Sequence, residues 1–290
     1  MGVRKILFGL MRRRLDPYER VSLKSFSRVT SRNPLRGVIG LLWGAVTSDL
    51  YALSRLLGSS LAEAFSYYEE IAGDRWFLSM LKDKLLEAFR LERVGGYMDF
   101  TIAPMLYVIV RILRPSIVVE TGVGPGASSA FILRALEVNG FGKLYSIDLP
   151  EADHKIYLQL KLVKETHRYS PHGWNPGWLV PEELRWRWEL ILDDARQALP
   201  RLLSKLGKID MFLHDSLHTY EHMIFEYSIA YRYIRDGGVL ASDDANWNSA
   251  FRDFCASKMN PCIITLTAGG RLGVMVKKLR KRFDISLLDL

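Results

Sequence analysis

The sequence predicts an α/β protein with a doubly wound, mostly parallel sheet of seven strands and an N-terminal helical extension. The first observation is the alternation, after residue 115, of short apolar runs with segments of helical periodicity. This alternation is typical of a parallel sheet covered by helices on both faces. The second is a glycine-rich turn between the first such strand and the next helix. The third is a pair of apolar runs that meet at Gly269-Gly270, which favours a tight antiparallel hairpin.

Each element follows from its own stretch of sequence. The strand candidates are short, apolar and bounded by Gly, Pro or Asp; they cover residues 116–120, 142–148, 189–192, 209–214, 239–242, 262–267 and 272–277. Helical segments separate most of them, at residues 127–139, 151–167, 195–206 and 220–233. Before the first strand, 104–113 is a buried helix and 38–93 has helical spacing. We therefore divide the chain into a basic arm with an N-terminal helical cap, 1–90, and a sheet domain, 91–290.

Charge is unevenly distributed along the 290 residues. The formal net charge is +8, but residues 1–36 alone carry +8 and residues 271–290 carry +4, so the body between them carries −4. For these basic ends we favour a solvated or oligomer-forming arm. A peripheral membrane contact, with Ile6, Leu7, Leu10 and Met11 on one helical face, is the second option, and nucleic-acid binding is the least favoured.

Composition also bears on compartment. The chain is 49% hydrophobic and 25% charged, which excludes disordered and fibrous classes. Cys255 and Cys262 form no CxxC pair, so we expect a reducing compartment. The N-terminus lacks a signal-peptide cleavage pattern, and the uncharged apolar stretches are too short to span a bilayer. We expect a soluble, cytoplasmic protein.

The glycine-rich turn reads Glu120-Thr121-Gly122-Val-Gly124-Pro-Gly126 and opens the helix at Ala127. Glycines let the backbone approach a ligand closely, and a helix N-terminus offers free N–H groups. The same letters fit the dinucleotide pattern GxGxxA, and an ordinary strand-to-helix turn is the other alternative. Two acidic positions favour a nucleotide-like ligand, since Asp148 ends the second strand and Asp193-Asp194-Ala195 follows the third.

Together with the final hairpin, these residues resemble the class I S-adenosylmethionine-dependent methyltransferases over about residues 91–282. The resemblance implies a Rossmann-like methyltransferase fold that binds S-adenosylmethionine. It assigns Asp148 to the ribose of the cofactor, and Asp194 with Ala195 to the adenine. The residues that it assigns to the methionine part lie in and around the turn: Glu120, Thr121, Gly122, Gly124, Gly126 and Ser128. Asp193 is then an exposed loop acid.

A second cluster follows the fourth and fifth strands. The fourth ends in His214-Asp215-Ser-Leu-His218-Thr-Tyr220, and the fifth ends in Ser242-Asp243-Asp244. Neighbouring parallel strands end at one edge of a sheet, so these carboxylates are expected to converge near the glycine turn. Clustered carboxylates repel one another unless a cation compensates, and all-oxygen ligation suits Mg²⁺ or a similar divalent cation.

The pattern D-x-x-H-x-Y with a later D-D resembles metal-dependent small-molecule O-methyltransferases, especially the antibiotic- and sugar-modifying branch. The resemblance implies that Asp215, Asp243 and Asp244 bind the metal and that His218 is the general base. The sequence departs from that branch at Asp243, where the branch has Glu. Alternatively, the aspartates only cap helices and His218 is structural. A further alternative is a soft-metal face formed by His214, His218 and His222 at i, i+4, i+8 spacing.

The last feature is a tryptophan-rich insertion at residues 168–187, whose segment GWLVPEELRWRWEL is similar to the same branch. We expect it to cap the cofactor or acceptor site, with Trp178, Tyr220 and Trp247 contacting substrate; a packed surface loop is the alternative. The leading hypothesis is an S-adenosylmethionine-dependent, Mg²⁺-dependent O-methyltransferase acting on a sugar, polyol or phenol. The alternatives are an NAD-binding oxidoreductase and a non-catalytic or RNA-associated cofactor-binding protein.

Overall fold

The computed structural model describes residues 34–91, 102–150, 175–266 and 271–278. The chain divides into two compact units, residues 1–48 and 49–290. In the first unit the described residues, 34–48, are helical and belong to α1 (Pro34–Leu57). The second unit contains the sheet and also the helices after α1, and the predicted division of the chain at residue 90 stays a prediction.

Among the described residues, three helices lie between the end of α1 and the first strand of the sheet. Helix α2 (Leu61–Ala72) begins after Ser60, whose hydroxyl caps it by accepting the Glu63 N–H at 3.1 Å. It is followed by α3 (Arg75–Leu91) and α4 (Ala103–Leu113). Helix α4 is apolar on nearly all sides and is almost entirely buried, as a core helix should be. It ends at Arg114, which has a φ of 48° and precedes Pro115.

The sheet has seven strands in the described residues, in the order β3-β2-β1-β4-β5-β7-β6. The strands are β1 (Ile117–Thr121), β2 (Lys143–Asp148), β3 (Trp188–Leu192), β4 (Ile209–His214), β5 (Ile234–Ser242), β6 (Cys262–Ile264) and β7 (Gly273–Val276). Strands β1 to β5 are parallel, while β7 runs antiparallel to both β5 and β6. The predicted fold class, including the antiparallel C-terminal pair, is confirmed.

Helices cover this sheet and bury its apolar side chains. They are α5 (Ala127–Asn139), α6 (Ala195–Leu206), α7 (Tyr220–Tyr233) and α8 (Ala250–Lys258). A short 3-10 helix, Glu182–Arg187, leads into β3. One core cluster joins α6, α7 and α8 to the sheet, with Phe212, Tyr227 and Phe251 fully buried in it. This packing fixes the strand ends that carry the polar residues.

Several predicted features lie outside the described residues. They are the basic arm at 1–33, the Gly95-Gly96 break, the helix at 151–167, the first part of the insertion at 168–174, the Gly269-Gly270 turn and the basic end at 279–290. Within the described part of the chain, no helix combines the length and apolar character needed to cross a bilayer.

Candidate active site

The residues that follow three parallel strands meet at one edge of the sheet. Thr121, the last residue of β1, is in register with His214 at the end of β4, and His214 is in register with Ser242 at the end of β5. The glycine turn, Asp215 and Asp243 therefore start from neighbouring points. The predicted convergence at this edge follows directly from the strand register.

The glycine turn passes very close to the β4 end. Gly122 has a φ of +81°, and a Cβ placed there would lie 1.9 Å from the carbonyl oxygen of Asp215. The Gly122 N–H donates to the carbonyl of Ile147 at 2.8 Å, which ties the turn to β2 as well. Only glycine adopts this φ readily and leaves room for the Asp215 carbonyl, so the packing of the protein itself requires glycine at position 122.

Asp148 holds the turn in place from the end of β2. One carboxylate oxygen accepts the N–H groups of Val123 at 3.2 Å and Gly124 at 2.9 Å, and the other accepts the N–H of Leu149 at 2.8 Å. Burial raises the pKa of Asp148, while these backbone bonds oppose the rise. A carboxylate has about four acceptor positions, so capacity remains for one more donor, such as a ribose hydroxyl.

Glu120 lies beneath the turn. Its carboxylate accepts the hydroxyls of Ser128 and Ser129 at 2.5 Å and of Ser146 at 2.7 Å, and the residue has no exposed surface. Desolvation raises the pKa of Glu120, and the three hydroxyl donors partly offset the rise. Glu120 thus braces β1 against α5 and β2, and its predicted contact with the methionine part of a cofactor stays a prediction.

The predicted cofactor residues separate by exposure. Thr121, Gly126 and Ser128 are buried like Glu120, whereas the half-buried members form the accessible rim: Gly122, Gly124, Asp148, Asp194 and Ala195. Asp194 caps α6, because its side chain accepts the Arg196 N–H at 2.6 Å. Its neighbour Asp193 forms an ion pair with Arg201, at the partly exposed position predicted for a loop acid.

The described part of the insertion lies against the glycine turn. The N–H of Gly177 donates to the carbonyl of Gly124 at 2.8 Å, and that of Leu179 donates to Pro125 at 2.9 Å. Lys84 of α3 donates to the carbonyls of Trp178 and Val180, both at 2.9 Å. Helix α3 therefore fixes the insertion on the turn; Lys84 carries no sequence signal that would have revealed this contact.

Asp215, His218 and Asp243 form the one group among the described residues whose ligand atoms all lie within 4.8 Å of one another. His218 Nε2 is 4.0 Å from Asp215 Oδ1. The third predicted ligand, Asp244, is not in this group. Its backbone has a φ of 46°, and its carbonyl accepts the N–H of Trp247 at 2.7 Å. A soft-metal face of His214, His218 and His222 receives no support from this grouping.

The electrostatics of the group are those of crowded carboxylates. Burial, the charges of Asp243 and Glu120, and a hydrogen bond to Asp243 raise the pKa of Asp215 well above its usual range. Burial and the neighbouring His214 and His222 lower the pKa of His218 to about 3. At neutral pH the His218 ring is thus uncharged, and its Nδ1 is buried without a hydrogen-bond partner among the described residues.

A buried carboxylate that the sequence analysis missed lies behind this group. Glu226 of α7 accepts four side chains: Thr121 at 2.6 Å, His214 Nδ1 at 2.6 Å, Ser216 at 2.9 Å and His222 Nε2 at 2.9 Å. The available signal was the His222–Glu226 spacing of four residues, which places both on one helix face. Nothing in the sequence shows that this face meets the ends of β1 and β4.

The predicted substrate contacts fall into different environments. Trp247 is 54% exposed and its ring lies 6.4 Å from that of His218, while Tyr220 is 40% exposed at the start of α7. Trp178 is only 8% exposed. The exposed aromatic ring beside the acidic group is therefore that of Trp247.

Residues 119–245 match a family model described as a methyltransferase domain. This range contains every predicted cofactor, metal and catalytic residue, and it ends before Trp247. No curated protein matches the chain in sequence. The predicted resemblance to methyltransferases is confirmed.

Solved structures match the fold over more than two thirds of the chain. A putative O-methyltransferase from Klebsiella pneumoniae is 16% identical, with a TM-score of 0.50 over 69% of this chain and 90% of its own. The O-methyltransferase TomG from Streptomyces achromogenes, in complex with SAM, is 16% identical, with a TM-score of 0.49 over 69% and 90%. An O-methyltransferase from Bacillus cereus, in complex with SAH, is 16% identical, with a TM-score of 0.48 over 69% and 91%. At 16% identity, the likeness to the first of these structures is one of fold alone.

Proposed function

We propose that this protein methylates a hydroxyl oxygen of a small molecule with the help of a divalent cation, since residues 119–245 match a methyltransferase-domain model and the chain resembles the class I S-adenosylmethionine-dependent enzymes. The acceptor class that we propose is a sugar, a polyol or a phenol. The observation that carries this proposal is the group of Asp215, His218 and Asp243 beside the glycine turn. It places candidate cation ligands and a candidate base next to the candidate cofactor loop.

The donor set fits a hard cation. Burial and the charges of Asp243 and Glu120 raise the pKa of Asp215, and a bound cation would offset this repulsion between carboxylates. Carboxylate oxygens are the ligands that Mg²⁺ prefers, and Mg²⁺ commonly binds through one or two carboxylates. Asp215 and Asp243 would hold the cation, with Asp244 as the third proposed ligand. When bound, the cation lowers the pKa of a coordinated hydroxyl.

The cofactor side fits S-adenosylmethionine through the accessible rim of the glycine turn. We propose that Gly122 and Gly124 lie against the methionine part, that Asp148 accepts a ribose hydroxyl, and that Asp194 with Ala195 contacts the adenine. The buried residues Glu120, Thr121, Gly126 and Ser128 support this rim from below, since their side chains or backbone pack inside the protein.

The chemistry assigned to the protein's own residues is positioning and proton transfer. The neutral ring of His218 would accept the hydroxyl proton of the acceptor. When bound, S-adenosylmethionine would supply the methyl group to that oxygen, with S-adenosylhomocysteine as the leaving group and a methyl ether as the product. Trp247 would offer an apolar surface for the acceptor beside His218, and Tyr220, exposed at the start of α7, is proposed as a further contact. Holding both substrates rigidly supplies much of the rate enhancement.

The protein's location and assembly also remain proposals. We propose a cytoplasmic enzyme whose basic N-terminal residues, 1–36, form a solvated or self-associating arm, with contact to an anionic membrane surface as the second option. Nucleic acid is not proposed as a partner.

The test is a methyl-transfer screen with labelled S-adenosylmethionine against sugars, polyols and phenols, with Mg²⁺ or with EDTA. We expect transfer that EDTA abolishes and added Mg²⁺ restores. His218→Ala should lower kcat by about 10²–10⁴-fold, the usual contribution of a general base. Asp215→Asn should abolish the Mg²⁺ dependence together with the activity, whereas Asp193→Asn, an acid outside the group, should leave both unchanged. Binding of NAD without binding of S-adenosylmethionine would overturn the proposal.

A further inference from the structure

The buried carboxylate of Glu226 has an unusual set of donors. It is fully enclosed, and it accepts two hydroxyls and two imidazole N–H groups at 2.6–2.9 Å. Burying an ion without such partners costs several kcal/mol, so a carboxylate is retained at this depth only when its hydrogen-bonding capacity is filled. Four donors fill about four acceptor positions.

These bonds also determine where the protons of two histidines lie. Burial alone would raise the pKa of Glu226, but the hydrogen bonds and charges of His214 and His222 outweigh it and hold the pKa well below its usual range. An ionised carboxylate only accepts, so in these two bonds His214 Nδ1 and His222 Nε2 are assigned as the N–H donors. The remaining nitrogens, His214 Nε2 and His222 Nδ1, are buried without hydrogen-bond partners among the described residues.

Two hydrogen-bonded residues, Ser216 and Thr121, connect Glu226 to the backbone of Asp215. Ser216, the next residue in the chain, donates its hydroxyl to Glu226 at 2.9 Å. Thr121 donates its hydroxyl to Glu226 at 2.6 Å, and its carbonyl accepts the Asp215 N–H at 2.8 Å. The backbone of Asp215 is therefore fixed on both sides by groups that Glu226 holds.

The other two members of the group depend on His214. The carbonyl of His214 accepts the Asp243 N–H at 2.8 Å. The ring of His214 packs against the ring of His218 with centroids 5.2 Å apart and an interplanar angle of 81°. Since Glu226 orients the His214 ring, it also fixes the surface against which the His218 ring packs.

We propose that Glu226 is a positioning residue that holds Asp215, Asp243 and His218 in their mutual arrangement through Thr121, Ser216 and His214. It touches neither substrate nor cofactor; it acts by fixing the groups that do. This inference rests on the proposed function of the same site.

The informative variant is Glu226→Gln. The amide keeps the shape of the side chain but replaces one accepting oxygen by a donating NH₂ group, so the two donors at that oxygen lose their acceptor. Loss of such supporting contacts around a metal site typically costs about 10–100-fold in metal affinity or activity. We therefore expect a fall of that size in kcat and in Mg²⁺ affinity. The Kd of S-adenosylmethionine should change by no more than about threefold, since Glu226 does not contact the accessible rim of the turn.

The matched control is Asp210→Asn at the opposite end of β4. Asp210 also receives several donors: the N–H groups of Ser116 at 2.8 Å and Ile117 at 2.9 Å, and the Arg235 guanidinium at 2.5 Å. Its replacement should destabilise the same strand without altering kcat or Mg²⁺ affinity. Should Glu226→Gln fail to fold, Ser216→Ala removes one donor, keeps the carboxylate, and allows the same comparison.

A spectroscopic measurement separates positioning from stability. In ¹⁵N-histidine-labelled protein, long-range ¹H–¹⁵N correlations report which ring nitrogen carries the proton. We expect a proton on Nδ1 of His214 and on Nε2 of His222 in the unsubstituted protein, since these nitrogens face Glu226. In Glu226→Gln we expect both patterns, and the ring signals of His218, to change; in Asp210→Asn they should not.

The outcomes are distinguishable. Unchanged His218 signals, kcat and Mg²⁺ affinity in Glu226→Gln would overturn the inference and leave Glu226 a purely structural residue. The same conclusion would follow if Asp210→Asn lowered kcat equally. If the unsubstituted protein neither binds Mg²⁺ nor transfers a methyl group, the proposed function fails, and the histidine signals alone then decide whether Glu226 positions His218.

Discussion

The close approach of the glycine turn to the β4 end allows a quantitative test, with Gly122→Ala as the perturbation. The new methyl carbon would lie 1.9 Å from the Asp215 carbonyl oxygen and 2.8 Å from the Ser216 nitrogen. To reach even a tight 3.0 Å contact, the backbone after β1 or after β4 must shift by about 1.1 Å. A shift of that size moves the turn away from Asp215 and disturbs the proposed site.

The chain contains a matched control for the conformational part of this cost. Gly140 has a φ of +80°, nearly identical to the +81° of Gly122, but a Cβ there meets nothing within 4 Å. Both alanine variants pay about 1–2 kcal/mol for the left-handed backbone. Gly122→Ala adds an overpacking cost of about 1–3 kcal/mol, because the obstacle is backbone and cannot rotate away. We expect unfolding free energies lowered by about 1–2 kcal/mol for Gly140→Ala and by about 2–5 kcal/mol for Gly122→Ala.

Urea denaturation measures both free energies, and calorimetric titration measures the Kd of S-adenosylmethionine for each variant. Gly122→Ala should weaken cofactor binding by at least about tenfold, whereas Gly140→Ala, at the far end of α5, should leave the Kd unchanged. Equal destabilisation of the two variants, or an unchanged Kd in Gly122→Ala, would refute the argument that this glycine sets the junction of cofactor turn and acidic group.

Three further predictions concern the surroundings of the site. Lys84→Met should lower the free energy of unfolding by about 1–2 kcal/mol in urea denaturation and weaken cofactor binding, because the carbonyls of Trp178 and Val180 lose their donor. Unchanged values would show that α3 does not fix the insertion. Trp247→Ala should raise the acceptor KM roughly tenfold, the equivalent of about 1.4 kcal/mol, because its exposed ring lies near that of His218. Trp76→Ala, at an exposed tryptophan of α3 outside the insertion and the site, should leave the KM unchanged, and equal effects of the two variants would exclude a specific acceptor contact. Glu226→Gln should be less stable than the unsubstituted protein at pH 7. Because the folded-state pKa of Glu226 is lowered, that difference should shrink in denaturation curves as the pH falls below about 4.3, and a constant difference would contradict it.

Much of the sheet edge could be predicted because it depends on local sequence. Short β-branched runs identify the strands, and the residues after each strand must emerge at the same edge when the strands are parallel. This reasoning brought Asp215 and Asp243 together, as the structure does. The sequence could not show which of Asp243 and Asp244 joins Asp215. Consecutive side chains at a strand end point in opposite directions, and the φ of +46° at Asp244 turns the chain there.

The supporting contacts could not be predicted for a physical reason. Glu120 and Glu226 are acidic residues in apolar surroundings, and a sequence does not reveal which donors tertiary packing will bring to each. Three serines from α5 and β2 surround Glu120, while α7 carries Glu226 to the ends of two strands. For this reason Glu120, which the resemblance assigns to the cofactor, is fully buried, and Glu226, which no sequence pattern singles out, accepts four side-chain hydrogen bonds.

The two halves of the site are held by different kinds of bond, and this difference has a functional consequence. On the cofactor side Asp148 binds backbone N–H groups of the turn, so the turn's shape depends on main-chain contacts that most side-chain substitutions leave intact. On the acidic side Glu226 binds only side chains, each of which a single substitution can remove. Substitutions around Glu226 should therefore affect cation binding and turnover while sparing cofactor affinity. Substitutions that move the turn, such as Gly122→Ala, should affect both, because the turn contacts the backbone of Asp215 directly.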